Sequence, residues 1–545
     1  MKKKQLLRGG LAGAALTAPL IGLMYLANQL LDLAFAPYDV FGWMTRMLPG
    51  PVITFGLDMM IDIMRLLGLN VANTGKIAEQ AMAIMQFWVL GILAGAAFYF
   101  VLQLRSIKPA IITGLISGAL FGFPAIAISI GFGGSTVNPI WNLLWFFALY
   151  FIWGVILIRV YARLLYYDAI PMTDEIESEE KREAFKLNRR QFLVLMGSEA
   201  AAVTVVGAGI GKWLANGKAA VVGEGMAHQV EESIGNLFPN FDDMVIPAPG
   251  TRPEYTPIKN HFQVFIGLEE EEIDGEIWKL PVTGLVDTPL MLSLDDIKEK
   301  YPVRDQYVTL SCISGRVGTT LIATTQWTGA SVKDVLADVG VQSTASYMNI
   351  ISADGFYETV PLELIDSDER IMFCYAWDGN TLPVGHGFPL RIWIPDRYGM
   401  KQPKWITGIE ITDVYKEGYW VERGWSELAQ VRSTSVIDTV AVEHIMEKDG
   451  QKFVPVGGIA FAGARGISKV EVRVDGGSWE EALLRAPLSE TTWVIWRYEW
   501  SFQAGTHLFE VRSFDNDGVL QELETQSSRP HGASGIHSLE KTING

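Results

Sequence analysis

The order of apolar and charged positions divides the chain into two unequal parts. Long uninterrupted apolar stretches recur before residue 212, whereas short runs that alternate apolar and polar residues dominate after residue 260. A helix needs roughly 20 apolar residues to cross the hydrocarbon core of a bilayer, and alternation with a period of two is typical of half-buried strands. The pattern therefore predicts an α-helical membrane part followed by a strand-rich soluble part.

Five segments have the length and composition of spanning helices. The clearest evidence is the absence of any Asp, Glu, Lys or Arg from Pro109 to Ile158. The apolar stretch Phe41–Leu69 carries four charged residues and is predicted to be an amphipathic surface or re-entrant segment, because charges are costly at bilayer depth. The predicted spans are Leu11–Phe35, Ala81–Leu104, Pro109 to about Gly131, about Pro139 to Ile158, and Phe192–Gly211.

Basic residues predict the topology of these spans. They cluster at residues 2–4, at Arg105 with Lys108, and between residues 159 and 190. Five spans place all three clusters in the cytoplasm and everything after Gly211 outside it. The sequence NRRQFL at residues 188–193 is similar to a twin-arginine export signal, so residues 188–213 are predicted to be a retained signal anchor. The alternative is an ordinary pair of cytoplasmic arginines.

Composition agrees with this division. The 545 residues are 49% hydrophobic and 19% charged, with a mean hydropathy of +0.20 and a formal net charge of −17. Such a mean is typical of a membrane part joined to a soluble part. Two cysteines are too few for a disulfide framework, and no nucleic-acid partner is expected.

The soluble part is predicted to contain a linker and two domains after a membrane domain over residues 1–187. Residues 214–252 are rich in Gly, Ala, Pro and Asp and are predicted to be the linker. Residues 253–440 alternate short strands with a few helices, which indicates an α+β domain. Residues 441–545 contain short strands and a hairpin-type turn at 475–477, which predicts a β-sandwich.

Cys312 is the first candidate for chemistry. It lies in VTLSCISGR at residues 308–316, where a strand-like run ends in a Ser/Gly loop that also carries Arg316. A neighbouring cation lowers the pKa of a thiol, and a small-residue loop leaves room for a ligand, so this setting suits a thiolate that binds a metal. The alternative is a buried structural cysteine, which is the interpretation we give to Cys374.

Further motifs follow Cys312 in a fixed order, and together they carry a family resemblance. They are Trp327-Thr328-Gly329, YAWDGNTLP at 375–383, HGFPLR at 386–391, Ile394-Pro395, Tyr398-Gly399 and Lys404-Trp405, with Lys259-Asn260-His261 and a strand at 278–286 upstream. This series resembles the sulfite oxidase family of molybdopterin-dependent oxidoreductases over residues 260–539. The resemblance implies an α+β molybdopterin domain and an immunoglobulin-like C-terminal sandwich of the kind that forms dimers.

The resemblance also implies roles for individual residues. Cys312 matches the cysteine that ligates molybdenum, and Tyr375 matches an active-site tyrosine; Arg316 and Arg497 are candidates for binding an anion. A soft thiolate suits this metal, and cationic side chains suit a phosphate. The positions that would hold the pterin and its phosphate are Asn260, His261, Ser352, His386, Arg391 and Lys404.

One feature separates this chain from sulfite-oxidising members of the family, and a second constrains how it transfers electrons. Lys259 stands where they have arginine, so the charge is kept but the planar fork that grips sulfite is lost. All seven histidines come at residue 228 or later, so no predicted span offers two histidines for a b-type haem. A separate cytochrome or a quinone-linked protein is therefore expected to exchange electrons with this chain.

Together these observations predict a membrane-anchored, extracytoplasmic molybdenum oxidoreductase that transfers an oxygen atom on a small oxyanion. The expected cofactors are molybdenum and molybdopterin, with no haem in the chain. A sulfoxide reductase with the same core is one alternative, although such relatives usually lack the C-terminal sandwich. The other is a non-enzymatic assembly or adhesion protein on a degenerate core, against which the retention of Cys312, His386, Arg391 and Lys404 argues.

Overall fold

The structure is a computed structural model. It describes residues 2–49, 71–105, 107–133, 137–169 and 238–544, together with scattered positions between 52 and 66 and between 198 and 210. The described residues form two compact units, a helical unit near the N-terminus and a unit made mainly of the residues from 238 onward. Each unit is described below by itself.

Long helices build the first unit, and four of them are long and apolar enough to cross a membrane. These four correspond to the first four predicted spans. Half of the predicted fifth span lies outside the described residues, and so do Arg189 and Arg190 of the predicted export signal. The helices are α1 (Lys2–Leu31), α2 (Ala36–Met47), α3 (Val71–Leu104), α4 (Ile111–Phe132) and α5 (Pro139–Ala169).

Small residues let α4 and α5 pack closely. A Cβ atom added at Gly118 or Gly154 would collide with the backbone of the facing helix. Such close approach is the usual way in which apolar helices gain contact area in a membrane. Helix α2 overlaps the start of the predicted amphipathic segment, but it begins five residues earlier, at Ala36, and has 12 residues. At 1.5 Å per residue it is roughly 18 Å long and is too short to cross a bilayer.

The second unit contains the strands and the short helices. Its helices are α6 (Leu294–Lys300), α7 (Val332–Val339) and α8 (Leu362–Ser367). Its first ten strands are β1 (Lys279–Gly284), β2 (Leu290–Ser293), β3 (Val303–Ser311), β4 (Ile322–Ser331), β5 (Tyr347–Ser352), β6 (Tyr357–Pro361), β7 (Met372–Trp377), β8 (Asn380–Thr381), β9 (Arg391–Trp393) and β10 (Ile406–Thr412). The others are β11 (Thr434–Val440), β12 (Met446–Lys448), β13 (Gln451–Phe461), β14 (Ile467–Val474), β15 (Glu480–Glu481), β16 (Leu483–Leu484), β17 (Val494–Ser501), β18 (Gly505–Asp515) and β19 (His537–Ile543).

Two sheets form the domain that the sequence predicts to be α+β. One has the order β2-β1-β10-β5-β6, and the other has the order β3-β4-β7-β8 with β9 also paired to β7. Helix α6 begins with a capping box, in which Ser293 and Asp296 satisfy each other's backbone N–H groups. Helix α7 ends at Gly340, whose φ of 67° suits a residue without a side chain. These helices pack with both sheets around one apolar core.

The residues after β10 form two further antiparallel sheets. Their orders are β11-β13-β17-β16, with β12 beside β13, and β15-β14-β18-β19. Buried residues from both sheets, including Val456, Trp496, Val472 and Phe509, share one core. Two antiparallel sheets that face each other across a common core form a β-sandwich, as the alternating sequence pattern predicts.

The described end of the predicted linker is part of this unit. Arg485 donates hydrogen bonds to the carbonyls of Asn240 and Val245 and pairs with Glu254 at 3.0 Å. Arg252 pairs with Asp438 of β11 at 2.6 Å. Residues 238–252 are therefore fastened by buried and half-buried arginine contacts, which the Gly-, Pro- and Asp-rich composition of this segment did not reveal.

Candidate active site

Cys312 lies on a loop between two paired strands. Strand β3 ends at Ser311 opposite Ile322 of β4, and Cys312 begins the connection. The Cys312 N–H donates to the carbonyl of Leu321 at 3.0 Å, and the Cys312 carbonyl accepts from Gly315 at 3.1 Å. These two bonds fix the backbone of the cysteine, so the position of its sulfur is set by the loop.

The thiol itself is half-buried. Its Sγ lies 3.1 Å from Ser314 Oγ. Burial raises the pKa of the Cys312 thiol, and the hydrogen bonds from Ser314 oppose this rise. A soft ligand such as a thiolate suits molybdenum, and the metal itself would supply the positive charge that favours the thiolate.

A cleft opens beside Cys312, and its wall is rich in arginine. Arg252, Arg316 and Arg432 line the cleft together with Tyr398. Several apolar wall residues, including Val436, Ile459 and Phe461, come from the C-terminal sandwich. The cleft therefore combines a half-buried thiol with cationic side chains, and residues of both soluble domains line it.

The structure brings only some of the predicted catalytic residues to this cleft. Arg316 lines it, but Tyr375, Lys259 and Arg497 do not. Tyr375 lies at a register shift where β7 pairs with β4, and its ring packs in the core beside Phe373. Lys259 is exposed in a short 3₁₀ helix at 258–260. Arg497 lies on β17, where it donates to the carbonyl of Ile246 at 2.9 Å.

Sequence reasoning missed three residues of the cleft. Tyr398 belongs to the Tyr-Gly turn that was used only as a motif, and its hydroxyl accepts a hydrogen bond from the Arg432 N–H at 3.2 Å. Burial raises the pKa of Tyr398, so the phenol stays protonated at neutral pH. Arg252 comes before the motif series and Arg432 comes after it. Each lies near a predicted domain boundary, and the sequence offered no other indication of a role.

Most of the predicted cofactor-binding residues meet in a second cluster. The ring centroids of His261 and His386 lie 5.1 Å apart, and both rings pack against Trp377 at 4.7 and 4.5 Å. The Arg391 guanidinium lies 4.4 Å from the centre of the Trp327 ring and donates to the His386 carbonyl at 2.9 Å. The two histidines and the arginine are 6%, 4% and 3% exposed.

Lys404, Ser352 and Asn260 border this cluster. The Lys404 ammonium donates to the Gly385 carbonyl at 2.9 Å. Ser352 ends β5 opposite Ile406, next to the Lys404-Trp405 segment, and Asn260 is exposed immediately before His261. Gly387 has a φ of 115°, and a Cβ atom there would press on the side chains of Arg391 and Lys404. Glycine therefore lets these two cations approach the histidine loop.

The electrostatics of the cluster favour neutral histidines beside two cations. Burial, together with the nearby charges of Arg391 and Lys404, lowers the pKa of His261 to about 3 and lowers that of His386 well below its ordinary value. Burial also lowers the pKa of Arg391 to about 10, which leaves the guanidinium charged at pH 7. Each neutral imidazole offers one donor and one acceptor, whereas the cations suit an anionic group.

Unsatisfied polar atoms show that this cluster is suited to a polar ligand. Buried polar atoms are nearly always hydrogen-bonded in native proteins. Among the described residues, five buried polar atoms of this region have no partner: His261 Nε2, Arg391 Nε, Trp327 Nε1, Trp377 Nε1 and Ser352 Oγ. His261 Nδ1 donates to the Phe262 carbonyl at 3.0 Å, so Nε2 of this neutral ring is an acceptor, whereas the Arg391 and Trp nitrogens are donors. A pterin edge has both donors and acceptors and its phosphate accepts, so the residues present fit the group.

The two sites lie at different points along the same pair of strands, with Cys312 just beyond one end and Trp327 near the middle of β4. Ser311 pairs with Ile322, and Gln306 pairs with Trp327 five residues further along β4. At roughly 3.3 Å per residue, this separates the loop of Cys312 from Trp327 by about 17 Å. The segment that precedes His261 contacts β4, because the Thr256 N–H donates to the Thr324 carbonyl at 2.7 Å.

Comparison with known proteins identifies the domain that carries these residues. The family profile of the oxidoreductase molybdopterin-binding domain matches residues 268–420. The chain is 31% identical over 148 residues to the uncharacterized oxidoreductase YuiH of Bacillus subtilis, which covers 27% of this chain and 72% of that protein. It is 26% identical over 283 residues to mitochondrial sulfite oxidase of Rattus norvegicus, which covers 44% of this chain and 50% of the rat enzyme.

Two further similarities extend the comparison. A putative protein-methionine-sulfoxide reductase subunit of Azospira oryzae is 29% identical over 166 residues, which is 30% of this chain and 61% of that protein. The crystal structure of the sulfane dehydrogenase SoxCD from Paracoccus pantotrophus matches 55% of this chain and 89% of that chain with 17% identity and a TM-score of 0.45. The chain thus spans about half the length of the rat enzyme. From the matched domain and these relatives, the chain belongs to the sulfite oxidase family of molybdopterin-dependent oxidoreductases.

Proposed function

We propose that this protein is a membrane-anchored, extracytoplasmic molybdenum enzyme that oxidises a small oxyanion of the sulfite type. The observation that carries this proposal is the half-buried thiol of Cys312 in a cleft lined by three arginines. A sulfite-type substrate is a compact anion, and guanidinium groups bind such oxygens with strong hydrogen bonds. The reaction joins sulfite and water and releases sulfate, two protons and two electrons.

The cofactor would occupy the two sites described above. Cys312 would ligate molybdenum, and His261, His386, Arg391 and Lys404 would hold the pterin and its phosphate, with Asn260 and Ser352 beside them. Bound molybdopterin supplies the two-electron oxygen-transfer chemistry. The chain's own residues position it: the loop fixes the sulfur, and the buried cations neutralise the anionic end.

We propose that the electrons leave through a separate protein, either a cytochrome or a quinone-linked protein. This proposal follows from the sequence, in which all seven histidines come at residue 228 or later, so that the predicted spans offer no pair of histidines for a b-type haem. The helices would anchor the enzyme in lipid, the twin-arginine-like segment would direct export, and the C-terminal sandwich would be immunoglobulin-like and could support a homodimer.

A second candidate function is the reduction of sulfoxides. It is favoured by the similarity to the Azospira oryzae protein, whose name describes a putative protein-methionine-sulfoxide reductase subunit. This reaction uses the same metal in the opposite direction and needs an electron donor. A sulfoxide group carries no net charge, so an arginine-rich cleft would contribute less to the binding of such a substrate.

Purified full-length protein in detergent separates these functions from the non-enzymatic alternative. We expect stoichiometric molybdenum, a fluorescent pterin after oxidation, and sulfite-dependent reduction of ferricyanide. Oxidation of reduced viologen by methionine sulfoxide, without sulfite oxidation, would favour the second candidate. Protein that contains neither molybdenum nor pterin after expression in a host that makes the cofactor would refute both enzymatic functions.

A further inference from the structure

Arg252 lines the cleft of Cys312 although it lies outside the motif series that identifies the catalytic domain. Its guanidinium grips Asp438 with two atoms, Nε at 3.0 Å and Nη2 at 2.6 Å. Its backbone N–H also donates to the same carboxylate at 3.2 Å. The Asp438 side chain is 9% exposed, and that of Arg252 is 21% exposed. Arg252 is therefore held rigidly, while part of its guanidinium stays open to the cleft.

The hydrogen-bond count of Arg252 leaves donors available. A guanidinium has five N–H groups. Nε and Nη2 each donate one N–H to Asp438, and Nη1 donates one N–H to the carbonyl of Thr319 at 3.4 Å. The two remaining N–H groups, one on each Nη atom, have no acceptor among the described residues. Two such donors from one rigid plane match two oxygens of a tetrahedral or pyramidal oxyanion.

The side chain of His537 packs against the loop that carries Cys312. Its Nδ1 accepts the N–H of Ile437 at 3.2 Å, so the proton of the neutral ring is on Nε2. A Cβ atom added at Gly318 would lie 2.9 Å from that Nε2, and Gly318 has a φ of 82°. Burial lowers the pKa of His537, so the ring is neutral at pH 7. The loop of Cys312 thus rests on Arg252 at Thr319 and on His537 at Gly318.

The other two arginines of the cleft are arranged differently. Arg432 pairs with Glu522 and donates from Nε to the carbonyl of His531 at 3.2 Å. The Arg316 side chain makes no hydrogen bond or ion pair with a described residue. Arg316 can add charge, but it is free to rotate. Arg252 alone combines a two-atom carboxylate clamp with a direct contact to the Cys312 loop.

We propose, on the basis of the function proposed above, that Arg252 orients the anionic substrate beside Cys312. In the same proposal, Asp438 and His537 are positioning residues that aim the guanidinium and hold the cysteine loop against it. This assigns substrate recognition to a residue in the predicted linker and to two residues of the C-terminal sandwich. Lys259 and Arg497, which the sequence comparison suggested, would not have this role.

The test compares sulfite kinetics and sulfate inhibition in wild-type protein and in Arg252→Gln, Arg252→Lys and Asp438→Asn. For Arg252→Gln we expect an increase of about tenfold or more in the KM for sulfite and in the inhibition constant of sulfate, because a charge-assisted hydrogen bond is lost. The kcat and the molybdenum content should stay within about twofold of wild type, since only substrate binding is removed. Arg252→Lys should restore part of the affinity, and Asp438→Asn should raise the KM less than Arg252→Gln.

Glu510→Gln is the matched control. Glu510 accepts two hydrogen bonds from Arg473, at 2.6 and 2.9 Å, in the same domain but away from the cleft. This variant should leave both constants unchanged. If Arg252→Gln does not accumulate, the double variant Arg252→Gln/Asp438→Asn removes both charges together and is measured instead.

The outcomes separate the two proposals. An unchanged KM and an unchanged sulfate inhibition constant in fully loaded Arg252→Gln would overturn the role of Arg252 while leaving the proposed function intact. Wild-type protein that holds the cofactor but does not oxidise sulfite would refute the proposed function. In that case, sulfate binding to wild type and Arg252→Gln, measured by calorimetry, still decides whether Arg252 binds an oxyanion.

Discussion

Replacement of Lys401 by methionine tests the buried ion pair behind the cleft. Lys401 Nζ lies 2.6 Å from Glu358 Oε1, and the two side chains are 9% and 0% exposed. The same oxygen accepts the Thr359 N–H at 2.8 Å. Methionine fills a similar volume but leaves the carboxyl without its cation. Removal of one partner from a buried pair costs ~3–5 kcal/mol. Since 1 kcal/mol shifts the melting temperature of a 150–250-residue domain by ~2–4 °C, we expect a loss of roughly 6–20 °C.

The loss should depend on pH. Burial raises the pKa of Glu358, and Lys401 opposes this rise, so the pKa should be higher still in the variant. A carboxyl whose pKa is raised by folding binds more protons in the folded state, and it therefore destabilises the fold as the pH rises above the unfolded value of about 4.3. The difference between Lys401→Met and wild type should consequently be larger at pH 8 than at pH 5.

Thermal unfolding of the full-length protein, followed by tryptophan fluorescence in detergent, measures both effects. Lys300→Met is the matched control because it makes the same substitution in the exposed pair of Lys300 with Asp338. An exposed pair is worth ~0–1 kcal/mol, so this control should melt within a few degrees of wild type. Equal melting temperatures for the two variants at pH 8 would refute the assignment of Lys401 and Glu358 as an energetically coupled buried pair.

Three further predictions concern function. Cys312→Ser should keep the fold and the melting temperature but abolish turnover, because a hard alkoxide replaces a soft thiolate at the metal; near-wild-type activity would exclude Cys312 as the ligand. Lys259→Ala should change the KM for sulfite by less than about twofold, because Lys259 is exposed and does not line the cleft, and a tenfold rise would restore it as a substrate ligand. Replacement of Arg189 and Arg190 by lysines should retain the catalytic part inside the cell, because the charge is kept and only a receptor for twin arginines detects the change; normal protease accessibility from outside would show another export route.

The sequence predicted which residues meet in the histidine cluster better than it predicted which residues line the Cys312 cleft, for a physical reason. Short motifs contain the four main residues of this cluster, His261, His386, Arg391 and Lys404, and the loops with these motifs fold back on the same strands. The motifs and their order in the sequence therefore indicated that the four residues belong to one site. Arg252 depends on an ion pair with a residue 186 positions later, which local patterns do not encode. Tyr375 fits a family motif, but it lies at the register shift between β7 and β4, and its ring packs into the core. A sequence motif does not show such a shift.

The helices of the first unit were also predictable because their signal in the sequence is local. The first four predicted spans agree with helices of spanning length because an uninterrupted apolar stretch is a local signal. The C-terminal strands were predictable from alternation, and the turn at 475–477 has the positive φ values that its Asp-Gly sequence favours. The fastening of residues 238–252 was not predictable, because its anchor, Arg485, lies more than two hundred residues away.

The wall of the Cys312 cleft has a consequence for how this family diversifies. The shared domain at 268–420 contains Cys312, the proposed metal ligand, and most residues of the histidine cluster, but Arg252 lies before it, and Arg432, Val436 and Phe461 lie after it. Arg316 and Tyr398 of the same cleft lie inside the shared domain, so the wall is built from shared and flanking segments together. If Arg252 orients the substrate as proposed, substitutions in the flanking segments would change which molecules are accepted without altering the cysteine loop.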